Sequence, residues 1–140
     1  IEEGTDLTIV TYGSCVLIAQ ESIKSLREAG ISAELIDVQT LLPFDTNGEI
    51  VKSLQKTNRL IVLDEDVSGG ATGFMMQQIL DEQGGYFYLD SSPRALSAQD
   101  HRPAYGSDGN YFSKPNPESI FDMAYEIMNE VDPEKYPVIY

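Results

Sequence analysis

The residues able to do chemistry are few and scattered. Three carboxylates stand in a row at Asp64, Glu65 and Asp66, directly after the apolar run Leu60-Ile61-Val62-Leu63. Carboxylate oxygens at the end of a strand can hold a hard cation. Capping and solvation of a sheet edge are the commoner use of such a run, and nothing else of metal-site spacing accompanies it. His101 is the sole histidine, between Asp100 and Arg102 in a segment rich in Pro and Gly. A proton shuttle there would have to recruit Asp100 or groups elsewhere, so a structural hydrogen bond or an interface is the simpler role. Cys15 is the sole cysteine, which leaves no internal disulfide and no companion ligands for zinc.

Two glycine-bearing turns invite a catalytic reading and fail it. Tyr12-Gly13-Ser14-Cys15-Val16 puts a serine between strand and helix but lacks the final glycine of a nucleophile elbow. Ser14 is expected to cap the helix instead, its hydroxyl accepting an orphan N–H. Gly69-Gly70-Ala71-Thr72-Gly73 precedes a helix and could cradle a phosphate on backbone N–H groups. It fits neither the P-loop nor the dinucleotide fingerprint, and Asp64, Glu65 and Asp66 just before it would repel an anion. Close helix–strand packing accounts better for those glycines.

The elements that would position these residues are legible from periodicity. Residues 7–13 form a β-branched run ending in Gly13, a buried strand. Val16, Ala19, Ile23 and Leu26 then recur at helical spacing, and Gly30 terminates that helix. Residues 31–38 give a second strand. Asp45 or Thr46 can cap a short helix carrying Ile50, Val51 and Leu54. The run 60–63 is apolar throughout, as a strand covered on both faces requires. A helix follows through Met75, Met76, Ile79 and Leu80, broken at Gly84-Gly85. Tyr86-Phe87-Tyr88-Leu89 suits either a strand or a packed turn, and the next strand is placed at Arg94 to Ala98. Residues 100–115 have turn chemistry. Asn116 then caps a last helix, with Pro117 at its first position and Ile120, Ala124, Ile127 and Val131 as its buried stripe. Strands alternating with helices predict a three-layer α/β/α sandwich around a mostly parallel sheet.

The 140 residues suit one domain, long enough to bury a core of its own. A chain that starts at Ile1 is expected to be a piece of a longer one, a single domain with residues 1–6 as linker and 132–140 as tail. The net charge of −14 argues against a nucleic-acid footprint, which needs clustered Lys and Arg. It favours encounter with basic partners. No apolar run reaches the roughly 18 residues of a membrane span, and a lone cysteine fits a reducing, cytoplasmic setting.

An ordered set of segments carries a family resemblance: Val10-Thr11-Tyr12-Gly13-Ser14, then residues 30–45 with Ile36-Asp37-Val38-Gln39-Thr40-Leu41-Leu42-Pro43-Phe44-Asp45, then residues 56–65, Gly70, Gly73, Phe74, Asp100 and Pro103. Together they resemble the C-terminal domain of transketolase-type enzymes, most closely the beta subunit of the decarboxylating component of 2-oxo acid dehydrogenases. Gln39 stands where the family usually has Arg, and the loop 102–115 is longer and more polar than usual. The resemblance implies a five-stranded mixed sheet with one antiparallel edge strand. It also implies that thiamine diphosphate and its magnesium bind in other domains, with no cofactor, metal or catalytic residue in this one. Gly106-Ser107-Asp108-Gly109-Asn110 has a slight likeness to the first half of a thiamine-diphosphate motif, but the paired asparagines are missing and it reads as a turn.

What the resemblance further implies is assembly. Such a domain contacts the other domains of its enzyme, forms a homo-oligomer across a two-fold, and in some cases receives the basic subunit-binding domain of the lipoyl acyltransferase. Asp64, Glu65, Asp66 and Tyr140 are the expected docking residues. The isolated domain is expected to be inactive. The equivalent domain of a transketolase or deoxyxylulose-phosphate synthase, and a stand-alone α/β module for a small ligand, are the alternatives.

Overall fold

The computed structural model of the chain describes residues 3–13, 15–38, 49–67, 75–98 and 116–136, with the backbone alone described at 64–67, 82, 97 and 98. In chain order come β1 (Leu7–Thr11), α1 (Cys15–Glu28), β2 (Ala33–Asp37), α2 (Glu49–Thr57), β3 (Leu60–Val67), a π-turn (Gln78–Glu82), a 3-10 turn (Gly85–Tyr88), β4 (Arg94–Ala98) and α3 (Pro117–Val131). Among the described residues the sheet has four strands in the order β2-β1-β3-β4, and every pairing is parallel. Four of the five expected strands are thus seen, all parallel, and the antiparallel edge strand that the resemblance implies does not lie among the described residues.

Alternation along the strands sorts the core into two faces. Leu7, Ile9, Leu35, Ile61 and Leu63 pack with Ala19, Ile23 and Leu26 of α1 and Ile120, Ala124 and Ile127 of α3. Val10, Leu60 and Val62 pack with Ile50 and Leu54 of α2 and with Met75 and Ile79. Helices therefore cover both faces, as parallel strands demand, and the three-layer sandwich stands. Each fully buried aliphatic side chain is worth about 1.5–3 kcal/mol.

The helix ends follow local chemistry. At the end of α1, Gly30 takes φ +85°. The Ile31 N–H reaches the Leu26 carbonyl at 2.9 Å and the Gly30 N–H the Arg27 carbonyl at 3.0 Å, the paired bonds of a Schellman stop. At the start of α3 the Asn116 side chain accepts from the Ser119 N–H at 2.9 Å, and the Ser119 hydroxyl accepts from the Asn116 N–H at 3.0 Å, a reciprocal capping box with Pro117 behind it. Met128 joins the buried stripe of α3 and Val131 is only half-buried. Likewise Ser53 and Thr57 of α2 are buried with Ile50 and Leu54, while Val51 is half-buried. Ser14, Asp45, Thr46 and residues 100–115 lie outside the described residues.

The helix expected through Leu80 widens in its last turn. The Gln83 N–H reaches back five residues to the Gln78 carbonyl at 2.9 Å, and Gly84 turns the chain at φ +72°. Tyr86-Phe87-Tyr88 is the packed turn, not the strand. Gly85 fixes it: a Cβ there would meet the Ile79 carbonyl oxygen at 2.7 Å and the Ile79 and Leu54 side chains at 3.1 Å. Gly85→Ala should therefore destabilise the fold by about 1–3 kcal/mol, read as a lower urea midpoint at unchanged slope. A wild-type midpoint would contradict this packing.

Candidate interaction surfaces

In open parallel sheets, ligands gather beyond the carboxyl ends of the strands. That edge is built here by Gly13 after β1, at φ +64°, by Val38 after β2, whose N–H binds the Thr11 carbonyl at 2.7 Å, and by the end of β3. The acidic run does not follow β3, as the sequence suggested, but lies inside it. β3 continues to Val67, and its register against β4 shifts between Leu63 and Val67, which pair with Leu96 and Ala98. Four steps along β3 are spanned by two along β4, so Asp64, Glu65 and Asp66 occupy a bulged stretch of strand. Bulges of this kind sit at sheet rims and re-aim side chains. Tyr140, His101, Asp100, residues 69–73 and residues 106–110 lie outside the described residues. Among the described residues no three His, Cys, Asp or Glu side chains converge to hold a metal ion, and Cys15, the first residue of α1, is buried in the core. No step through thiamine diphosphate or magnesium is assigned to these residues.

A second surface is a row of carboxylates on α3. Glu118, Asp122, Glu126 and Glu130 recur every four residues and are all exposed. Like charges at that spacing repel and weaken a helix. Arg94, at the first position of β4, relieves the far half of the row. Its Nη2 donates to both Glu130 oxygens at 2.8 Å and its Nη1 lies 3.5 Å from Glu126. The Glu130 carboxylate pushes the guanidinium above its usual value, against burial. Among the described residues no ion pair reaches Glu118 or Asp122, so the near half of the row presents exposed negative charge. The signal was in the sequence as a four-residue repeat of acids. Its cation, supplied by a strand more than 30 positions away in the chain, was not.

The amino edge of the sheet is held by polar staples. Arg59, at the start of β3, makes a paired contact with Asp90 (Nε–Oδ1 3.1 Å, Nη2–Oδ2 3.0 Å), and its Nη1 donates to the Asp6 carbonyl at 3.2 Å. Asn58 takes the left-handed φ of 63° after α2, donates its side-chain amide to the Tyr88 carbonyl at 2.7 Å, and accepts the Asp90 N–H on its own carbonyl at 3.0 Å. Residues 4–6 lie along β2: the Asp6 N–H binds the Ser32 carbonyl at 2.8 Å, and a Cβ on Gly4 would strike the Ala33 backbone. Beside these staples the aromatic turn stands out, with Phe87 85% and Tyr86 66% exposed. It opens on a groove of about 510 Å³ lined by Tyr86, Phe87, Leu89, Asp90 and Pro93 among others. No helix among the described residues is long and apolar enough to cross a membrane.

A parallel sheet sealed on both faces, with its unspent polar and aromatic groups on the perimeter, defines a three-layer α/β/α domain. The chain belongs to the family described as Transketolase, C-terminal domain, whose profile matches residues 1–120. It is 29% identical over 120 residues to the pyruvate dehydrogenase E1 component subunit beta of Acholeplasma laidlawii, covering 86% of this chain and 36% of that protein. It is 33% identical over 98 residues to the 2-oxoisovalerate dehydrogenase subunit beta of Bacillus subtilis, covering 70% of this chain and 29% of that one. The chain thus spans about a third of the length of these relatives. A solved structure, a split-gene transketolase described as an inactive beta4 tetramer, superposes with a TM-score of 0.73 at 22% identity, over 91% of this chain and 40% of that one, which shows the shared fold.

One staple carries a pH dependence. Lys56 donates to Glu34 at 2.7 Å. Burial raises the Glu34 carboxyl, but the Lys56 hydrogen bond, with Ser53, the Gly4 N–H and the Lys56 charge behind it, outweighs burial and holds it below the ordinary glutamate value. A depressed carboxyl stabilises the fold above its unfolded-state pKa and loses that contribution as pH falls through the folded one. Lys56→Met should lower stability by about 1 kcal/mol at neutral pH, and the gap should close in acid, below the carboxylate range. Urea midpoints at both pH values test this, and a gap that ignores pH would contradict it.

Proposed function

We propose that this chain is the C-terminal assembly and partner-docking domain of a thiamine-diphosphate-dependent 2-oxo acid dehydrogenase of the beta-subunit type. The supporting observation is the match across residues 1–120 to the transketolase C-terminal family, joined to relatives that are beta subunits of pyruvate and 2-oxoisovalerate dehydrogenases. In this reading the full protein decarboxylates a 2-oxo acid, pyruvate or a branched-chain one, and passes the acyl group to lipoyl-lysine. Thiamine diphosphate and magnesium belong to its other domains. The 140 residues form one domain of that longer chain, work in a reducing cytoplasmic compartment, and supply contacts across a two-fold between copies.

The docking partner is a basic subunit-binding domain of the lipoyl acyltransferase. The net charge of −14 supports it, because opposite fields steer encounter and fix register. The α3 row adds a specific surface with Glu118 and Asp122 at one end, while Asp64, Glu65 and Asp66 are the contacts proposed at the β3 rim, and Tyr140 is proposed as a further contact from the sequence alone. Titrating the full-length protein with that basic domain should give binding that weakens about tenfold or more on raising salt from low to physiological or above. Glu118→Gln with Asp122→Asn should weaken the low-salt affinity if α3 is the contact; Asp64→Asn with Asp66→Asn should do so if the β3 rim is. No binding at low salt would refute the docking role.

A further inference from the structure

The aromatic turn at the amino edge is built as a socket. Among the described residues Phe87 and Tyr86 are, with Leu17 of α1, the most exposed large hydrophobic side chains, and their rings meet edge to face at 6.1 Å. Exposed contiguous aromatic surface marks an interaction site, because it leaves apolar area in water that a partner can remove. The turn is also held in place from below. Gly85 is pressed against Ile79 and Leu54, the Tyr88 carbonyl accepts from Asn58, and Asp90 is gripped by Arg59. A surface so fixed loses little freedom on binding.

Arg59 says which partner fits. The same guanidinium that grips Asp90 behind the aromatic turn donates to the carbonyl of Asp6, the residue through which the chain enters β1. β1 and β4 are two strands apart in the order β2-β1-β3-β4, about 10 Å at ordinary strand spacing, well within the footprint of one domain. The relatives carry roughly twice as much chain again beyond what this one spans, and the family to which residues 1–120 belong is by description C-terminal. If this chain is built like those relatives, the additional chain joins through residues 3–6, on the edge that displays Tyr86 and Phe87.

We propose that the turn Gly85–Tyr88 and the groove beside it are the seat of the preceding domain of the same polypeptide, an intrachain contact centred on the exposed rings of Tyr86 and Phe87 that fixes this domain against its catalytic neighbour. The proposal rests on the reading of the chain as a C-terminal piece of a longer enzyme. The occupant is an uncharged surface able to cover aromatic rings rather than a basic one, since the groove offers Tyr86, Phe87, Leu89 and Pro93 beside two serines, Ser91 and Ser92, and a single carboxylate, Asp90, already held by Arg59.

The test places p-benzoylphenylalanine at Phe87 of the full-length protein, irradiates it, and maps the cross-linked peptides by mass spectrometry. The expected result is a bond from position 87 to a peptide upstream of residue 1 in the same chain, with a yield independent of protein concentration. Cross-links between two copies of the turn, cross-links confined to residues 1–140, or none in a folded preparation would overturn it. Hydrogen exchange on the wild-type full-length protein provides a second readout that needs no variant. Amides 85–90 should exchange several-fold more slowly than in the 140-residue chain, and equal rates would overturn the proposal. Turnover of a 2-oxo acid by the same preparation reports separately on the enzyme reading, so failure of the contact and failure of that reading are distinguishable.

Discussion

A parallel strand in water would leave two wet faces, and the whole architecture follows from covering both. β1 is the extreme case: Leu7, Thr8, Ile9, Val10 and Thr11 are all wholly buried. Burial of hydroxyls costs free energy unless they are hydrogen-bonded. The Thr8 hydroxyl lies 2.7 Å from that of Ser53 and 2.6 Å from that of Thr57, and the Thr11 hydroxyl donates to the Leu63 carbonyl at 3.1 Å. These bonds fix α2 against one face and β3 alongside. The same sealing leaves the charged groups and exposed aromatic rings of the described residues on the perimeter of the sheet.

The two ends of the sheet are used differently. At the amino end, Asp6, Arg59, Asp90, Asn58 and the Lys56–Glu34 pair lock the strand starts together and hold an aromatic turn out to solvent. Of these ion pairs, those with a half-buried partner carry more weight than exposed ones, which contribute little. At the carboxyl end, β3 bulges through three consecutive carboxylates. Along the outer helix α3, an acidic row runs into the grip of Arg94. In the proposed reading, the aromatic edge and the acidic flank would meet two neighbours of different chemistry, a domain of the same chain and a basic partner.

Much of this was legible because it is local. β4 was placed residue for residue at Arg94 to Ala98, the Asn116–Pro117 start of α3 was read from cap chemistry, and the stop at Gly30 from its conformational freedom. The ordered segments from Val10 to Pro103 gave the family. What escaped depends on groups far apart in sequence. β3 continues through Asp64, Glu65 and Asp66 because β4 offers it backbone partners, although three adjacent acids argue locally for a loop. The left-handed turn at Asn58 is fixed by the Tyr88 carbonyl 30 positions on. The acids of α3 became a surface feature only when Arg94 was seen to cap half of them. The wide turn at Gln78–Glu82 carries no periodicity signal that separates it from an ordinary helix.

The account stands on a division of labour between a closed body and a chemistry performed by other domains. The direct measurement sets the purified 140-residue chain beside the full-length protein, each given 2-oxo acids or ketose phosphates with thiamine diphosphate, magnesium and an electron acceptor. The account predicts carbon dioxide release from 2-oxo acids by the full-length protein alone. Turnover by the isolated chain, or a full-length protein that acts on ketose phosphates and ignores 2-oxo acids, would contradict it.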